Sequence, residues 1–310
     1  MDKKRLTKII KAIFLILAAF FLIQYLKNNF SDIQEMNIKI DWWIFFLSML
    51  LYFIYKITLA SLWHYITKLN NCAIKYSNAI TGYLYSILGK YIPGKVFMLA
   101  ARIPSYQEEG VPPRKVTICF FIENVCTLLG AAFLFILSLL FFPNEWLNDY
   151  KYITIVLMIL FFICINPKII NFFLRRLGRL MKKDDLEVPM SYLEMLKVVV
   201  LFIGNWMIVG VGFFILVRSI YPEVLMNQLL FTGGIYGLSA IIGILAFFAP
   251  SGLGVREGII VAGLSLIMPT EYAVIISVIS RLWATIAELI LILIAFLQTR
   301  IKKRICATYD

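Results

Sequence analysis

Apolar runs close to 20 residues long recur along the whole 310-residue chain. Runs of that length match the hydrocarbon thickness of a bilayer and read as transmembrane helices. Hydrophobic residues make up 61% of the sequence, which leaves too little polar surface to cover a soluble domain of this size. The expected fold is an all-α polytopic membrane protein, with residues 1–310 forming a single integral membrane domain.

The runs divide into two kinds. Six read as full transmembrane helices: Ile9–Leu26, 42–62, Val116–Phe142, Tyr152–Ile165, Val198–Val217 and Ala273–Leu297. The first follows Lys3, Lys4, Arg5, Lys8 and Lys11, as a signal peptide would. It is too long for one, however, and Lys27-Asn28-Asn29-Phe30 offers no small-residue cleavage site, so an uncleaved span is expected. Trp42 and Trp43 open the second span as an interfacial belt. The other kind is interrupted by glycine and proline. Residues 77–102 break at Gly89-Lys90 and Pro93-Gly94-Lys95, and 229–268 break at Pro250-Ser251-Gly252-Leu253-Gly254. These read as two re-entrant broken-helix hairpins, although 229–249 is also long enough to cross fully.

Charge sets the expected topology. Of 30 Lys and Arg, 23 fall in 1–11, 64–115, 167–197 and 300–304, and these segments are placed inside. Four fall outside (Lys27, Lys39, Lys151, Arg218), and Lys56, Arg256 and Arg281 lie within apolar runs. Both termini are therefore expected in the cytoplasm of a protein integral to the inner (cytoplasmic) membrane. The net charge of +12 is read as loop charge facing anionic lipid at the cytoplasmic face, not as a nucleic-acid footprint. Within 168–183, basic residues interleave with Phe172, Phe173, Leu174, Leu177 and Leu180, the pattern of an amphipathic helix lying on that face. The five cysteines show no metal-ligand or disulfide spacing and read as inert buried thiols. His64 reads as an interfacial residue.

The stretch Pro250–Gly258 carries most of the functional information. An Arg256-Glu257 pair and three glycines at membrane depth suit neither lipid nor a regular helix. A charge near the bilayer centre costs at least about 2.5–3.5 kcal/mol, and irregular backbone survives there only inside protein or beside a wet cavity. Pro93-Gly94 and Pro250-Ser251-Gly252 are turn chemistry, because proline lacks an N–H and glycine accepts positive φ. Aligning the two turns aligns their surroundings. Gly82–Leu88 precedes one and Gly234–Ala240 the other, and Arg102 and Arg256 follow. Glu123 then comes 30 residues after Pro93, and Arg281 comes 31 after Pro250. The halves, about 42–166 and 198–297, read as inverted repeats, a transporter feature that places a site near the midplane.

The candidate substrate-binding residues follow from this alignment. The first N–H groups of each half-helix after a turn make an anion site, and Lys95 and Arg256 add full charges. Arginine can clamp a phosphate through two hydrogen bonds, although pairing of Arg256 with Glu257 or another buried acid is an equally open reading. Glu123 and Arg281 take equivalent places with opposite sign and could pair across the pseudo-axis, and a proton-coupled carboxylate is the other open reading of Glu123. Arg281 and Glu288, seven apart, share a helix face. Lys56 snorkels or pairs. The set is completed by Pro93, Gly94, Arg102, Pro250, Ser251, Gly252, Gly254 and Glu257. No nucleophile elbow, phosphate loop or metal spacing occurs, so neither an enzyme nor a cofactor is expected.

Leu88–Gly94 with Arg102 and Glu123, and Pro250–Gly258 with Arg281 and Glu288, resemble the flippase-type transmembrane domain of lysylphosphatidylglycerol synthases over nearly the whole chain. In bifunctional members a soluble aminoacyl-transferase domain follows. With Asp310 last, a stand-alone member without that activity is expected. The resemblance implies translocation of an anionic or phosphate-bearing lipid, either an aminoacylated phospholipid or a polyprenyl-linked glycan carrier. The alternative is a non-transporting membrane partner of a glycosyltransferase or lipid synthase.

Overall fold

A computed structural model describes residues 39–91, 96–141, 151–180, 187–246, 252 and 254–309, and every regular element among them is helical. The expected span at 9–26 lies outside the described residues. So do the turn residues Pro93, Gly94, Lys95, Pro250 and Ser251.

Helix α1 is Trp42–Leu69, started by Asp41, whose side chain accepts from the Trp43 and Ile44 N–H groups at 3.0 and 3.2 Å. Trp42 and Trp43 stand exposed at its mouth, as an interfacial belt requires. Helix α2 (Tyr76–Ser86) runs into a 3-10 turn (Ile87–Tyr91), and α3 (Val96–Gln107) follows. Helix α4 (Pro113–Leu140) opens on proline, whose missing N–H costs nothing in a first turn. Helices α5 (Lys151–Cys164) and α6 (Pro167–Leu180) are short and separated at Asn166-Pro167. Helix α7 (Tyr192–Ile220) begins with a capping box between Ser191 and Glu194. A 3-10 turn (Met226–Gln228) leads into α8 (Leu229–Leu245). Helices α9 (Val255–Leu264) and α10 (Thr270–Tyr309) complete the described chain.

Five helical stretches are long and apolar enough to cross a membrane: Trp42–Leu69, Pro113–Leu140, Tyr192–Ile220, Met226–Leu245 and Thr270–Arg300. Four coincide with expected spans. Two differences have simple causes. Proline at 167 begins a new helix, so α5 ends at Cys164, and 14 of its residues are described. The 3-10 turn ahead of α8 lengthens the first arm of the second interrupted stretch to 20 residues, enough to cross.

The two interrupted stretches form antiparallel helical pairs. A Cβ at Gly82 would meet Ser105, and one at Gly89 would fall 2.5 Å from the Met98 nitrogen, so α3 runs back along α2. A Cβ at Gly243 would meet Arg256, and one at Gly263 would meet Ile235, so α9 runs back along α8. Helices α2, α3 and α9 have 11, 12 and 10 residues. At 1.5 Å per residue they reach roughly 15–18 Å, about half of a hydrocarbon core.

The central packing is α1 against α7, where Tyr55 of α1 lies 6.1 Å from Trp206 of α7. Where helices approach closest, the residues are small: Gly210 faces Gly233, Gly234 faces Ser138, and Gly237 faces Ala131. That is the usual solution where lipid removes any hydrophobic drive for helices to associate. The contacts also come in matched pairs. Helix α1 packs on α2 as α7 packs on α8. The contacts α2–α3, α3–α4 and α1–α4 are matched by α8–α9, α9–α10 and α7–α10. Between the halves, α2 touches α10 as α8 touches α4, and α1 touches α10 as α7 touches α4.

Candidate functional site

Gly252 has φ of +67° and Gly254 +79°, so the second turn takes the left-handed conformation its glycines suggested. A Cβ at Gly252 would lie 2.7 Å from the Cα of Gly243, so close approach also demands glycine there. The turn delivers Arg256 and Glu257 into the first turn of α9 with their side chains diverging.

Glu257 turns to α10 and forms a buried ion pair with Arg281. Arg256 turns to α8. Its aliphatic stem packs on Gly243, and its guanidinium lies 5.4 Å from the ring centre of Tyr236. Its Nε is buried without a hydrogen-bond partner, and it forms no ion pair among the described residues. Of the two open readings for Arg256, self-pairing with Glu257 does not occur, because Arg281 holds that carboxylate.

The expected pair between Glu123 and Arg281 is likewise not formed. Glu123 of α4 pairs with Arg102 of α3, as Arg281 of α10 pairs with Glu257 of α9. Each half closes its own pair, with the signs exchanged, between the second arm of its helical pair and the long helix that follows. A carboxylate one helix away is reached without crossing the molecule, and the buried charges find those partners first. Arg102 is 1% exposed. It also donates to Ser86 at 2.9 Å and stacks on Tyr83 and Trp63 at 4.2 and 4.3 Å. This is a buried cage of a carboxylate, a hydroxyl and aromatic rings, a fold-holding arrangement.

Glu288 is the meeting point of the two halves. It shares a helix with Arg281, but its partners come from the first half. Lys56 of α1 approaches at 2.8 Å, Lys90 of the 3-10 turn binds the other carboxylate oxygen, and the Tyr52 hydroxyl donates at 3.1 Å. A line of rings connects this cluster to Arg256. Tyr52 lies 4.5 Å from Trp283, Trp283 lies 6.1 Å from Tyr236, and Tyr236 lies beneath Arg256. Arg256 is within electrostatic reach of Lys90 and Tyr52.

The charge count in this interior does not balance. Lys56, Lys90, Arg102, Arg256 and Arg281 are cations, whereas the carboxylates are Glu123, Glu257 and Glu288. Among the described residues the interior carries an excess of two positive charges, and Lys90 and Arg256 lie at its partly exposed edge. Buried cations without counter-charge are costly.

Of the expected site residues, the structure brings Arg256, Glu257, Arg281, Gly252 and Gly254 into one region next to Glu288. Arg102 and Glu123 are held apart from it in their own cage. Tyr52 and Lys90 were not anticipated as site residues. The available signal was a lysine in each of two first-half segments with no acid nearby in sequence. Two of the cysteines also lie together: the sulfurs of Cys72 and Cys119 are 3.3 Å apart and unbonded. A span of 47 residues hid that contact in the sequence.

A family model described as the lysylphosphatidylglycerol synthase TM region matches residues 9–292. No curated protein and no solved structure gave a match to the chain.

Proposed function

The chain belongs to the lysylphosphatidylglycerol synthase TM region family, and from that premise we propose that it is a lipid translocator for an anionic or phosphate-bearing lipid. The observation that carries this reading is the buried Arg256, which forms no ion pair among the described residues. A lipid head group bearing phosphate would pair with it, through a bidentate clamp of the guanidinium and the first N–H groups of α9. The unmatched cation next to a glycine-built turn is the arrangement expected where a mobile anion binds and leaves.

The matched contacts of α1–α4 and α7–α10 support two inverted repeats, about 42–166 and 198–297, with α2–α3 and α8–α9 as re-entrant hairpins. Rocking of one half against the other around Glu288 would expose the head-group site to each leaflet in turn. The proposed site comprises Arg256, Gly252, Gly254, Lys95 and the flanking turn residues Pro93, Gly94, Pro250 and Ser251, and Glu257–Arg281 and Glu288 hold its walls. The proposed activity is transport without a chemical step. The proposed setting is the cytoplasmic membrane with both termini inside, where the basic loops meet anionic lipid.

The test compares wild type with Arg256→Ala in proteoliposomes carrying labelled phospholipids and a polyprenyl phosphate. The variant is expected to reach the membrane folded and to lose head-group-selective movement. A folded variant that translocates at the wild-type rate would remove Arg256 from the site. A folded wild type that moves no lipid would favour a role as membrane partner to a glycosyltransferase or lipid synthase.

A further inference from the structure

Away from the interior site, one cavity joins positive charge to a polar group with nothing to bind. It measures about 620 Å³, within the range of small-molecule sites. It is lined by Asn70 at the end of α1, by Pro112, Arg114 and Lys115 at the start of α4, and by Glu187 and Pro189 ahead of α7. We propose that this cavity is a second ligand site, for a phosphate ester that also carries a free hydroxyl. Lys115, with Arg114 beside it, receives the phosphate, and Asn70 Oδ1 accepts from the hydroxyl. None of these residues belongs to the Arg256 site.

Asn70 sets the hydroxyl half of that ligand. The residue is 8% exposed. Its Nδ2 donates to the Ile66 carbonyl at 2.8 Å and lies 3.9 Å from the Met190 sulfur. Both amide hydrogens therefore have acceptors, which fixes which way the amide points. That leaves Oδ1, which is buried and accepts no hydrogen bond among the described residues. A buried acceptor left unpaired is costly, and what it lacks is a donor. A fully ionised phosphate has none to give, whereas a hydroxyl does.

The cations set the other half. Arg114 and Lys115 stand in the first turn of α4, where the helix dipole already supplies positive charge and no acidic residue opposes it. Pro112 makes no side-chain cap, Pro113 has no N–H, and the Lys115 N–H is spent on the Pro112 carbonyl at 3.0 Å. An anion is thus drawn by side-chain charge and dipole, not by a nest of open N–H groups. Lys115 Nζ meets the neutral Asn71 carbonyl at 3.3 Å and forms no ion pair among the described residues. Glu187, the carboxylate of the lining, is held by Arg175 at 3.6 Å. A polyol or sugar phosphate answers both demands, free in solution or as the head group of a lipid such as phosphatidylglycerol. All six lining residues fall in segments that the charge pattern places inside, where either source can reach them.

The test uses the full chain in detergent, with binding followed by isothermal titration in wild type and in Arg256→Ala, which removes the interior site. Glycerol 1-phosphate and methyl phosphate form a soluble pair that differs in hydroxyls. Short-chain phosphatidylglycerol and phosphatidylmethanol form the lipid pair. The pair that binds tighter identifies the source, and within it the hydroxyl-bearing probe is expected to bind about fivefold better, the scale of one net hydrogen bond. Lys115→Gln is expected to weaken both members about tenfold, the scale of a contact to a charged group. Asn70→Ala is expected to erase the preference within the pair while the member without hydroxyls binds as before. Lys115 is exposed, so its variant keeps the test decisive if Asn70→Ala does not fold. Equal binding within the tighter pair, or binding lost in Arg256→Ala and kept in Lys115→Gln, would overturn the proposal. So would the absence of binding by any probe to folded wild type. Each of these results leaves the translocator reading standing.

Discussion

At the scale of single residues, the four interior acid–base sites fall into two roles. Arg102 and Glu123 are enclosed on every side, and truncating one leaves the other charged and unpaired in the interior. Arg102→Ala is expected to cost about 3–5 kcal/mol of stability. The double replacement Arg102→Met/Glu123→Leu is expected to cost less than either single change, and thermal unfolding of the purified protein measures both. Arg256→Ala removes no ion pair among the described residues and is expected to unfold close to wild type, separating a binding residue from a structural one by the same assay. The sequence identified Glu123, Arg256, Arg281 and Glu288 as charges that must be buried in protein, because apolar neighbours in a run of that length allow little else. Partner choice was not legible. Which acid meets which base depends on helix rotation, and a helix face is ambiguous when the run around it is apolar on every side.

At the scale of elements, glycine placement fixes the helical pairs. Gly89 sits where a Cβ would press on the backbone of Phe97 and Met98, which cannot yield as a side-chain tip would. Gly89→Ala is expected to destabilise the protein by about 1–3 kcal/mol. Gly204→Ala in α7, where nothing lies within 4 Å, is expected to be neutral or stabilising by up to about 1 kcal/mol. The Cys72–Cys119 contact offers a second handle, because the chain between them holds the whole α2–α3 pair. Tetrathionate is expected to join these two thiols, detected by alkylation and reversed by reductant, and not in Cys72→Ser. If the α2–α3 pair moves during transport, closing that loop slows translocation until the bond is reduced. Both interrupted stretches were readable from Pro-Gly and Pro-Ser-Gly flanked by short apolar segments. So was the length of the α8 arm, because 229–249 is an unbroken apolar run; the 3-10 turn Met226–Gln228 that precedes the helix was not.

At the scale of the whole molecule, the matched helix contacts and sign-exchanged ion pairs describe two halves that meet at Glu288. The inverted arrangement makes a topological prediction. A cysteine at Glu109, exposed between α3 and α4, is expected to label from the side of both termini. One at Glu223, between α7 and α8, is expected to label from the opposite side. Labelling of both from one side would break the assignment. The proposed repeat rests, on the sequence side, on aligned turns with buried charges at similar offsets. That Arg256 has no ion pair among the described residues was not legible, because it emerges only when Arg281 is seen to hold Glu257. The most direct measurement follows an anionic, phosphate-bearing lipid and a zwitterionic lipid in the same wild-type proteoliposomes, each with its own label. The account predicts movement of the anionic lipid at a rate well above protein-free vesicles, with the zwitterionic lipid left behind. Equal movement of both, or of neither, would contradict it.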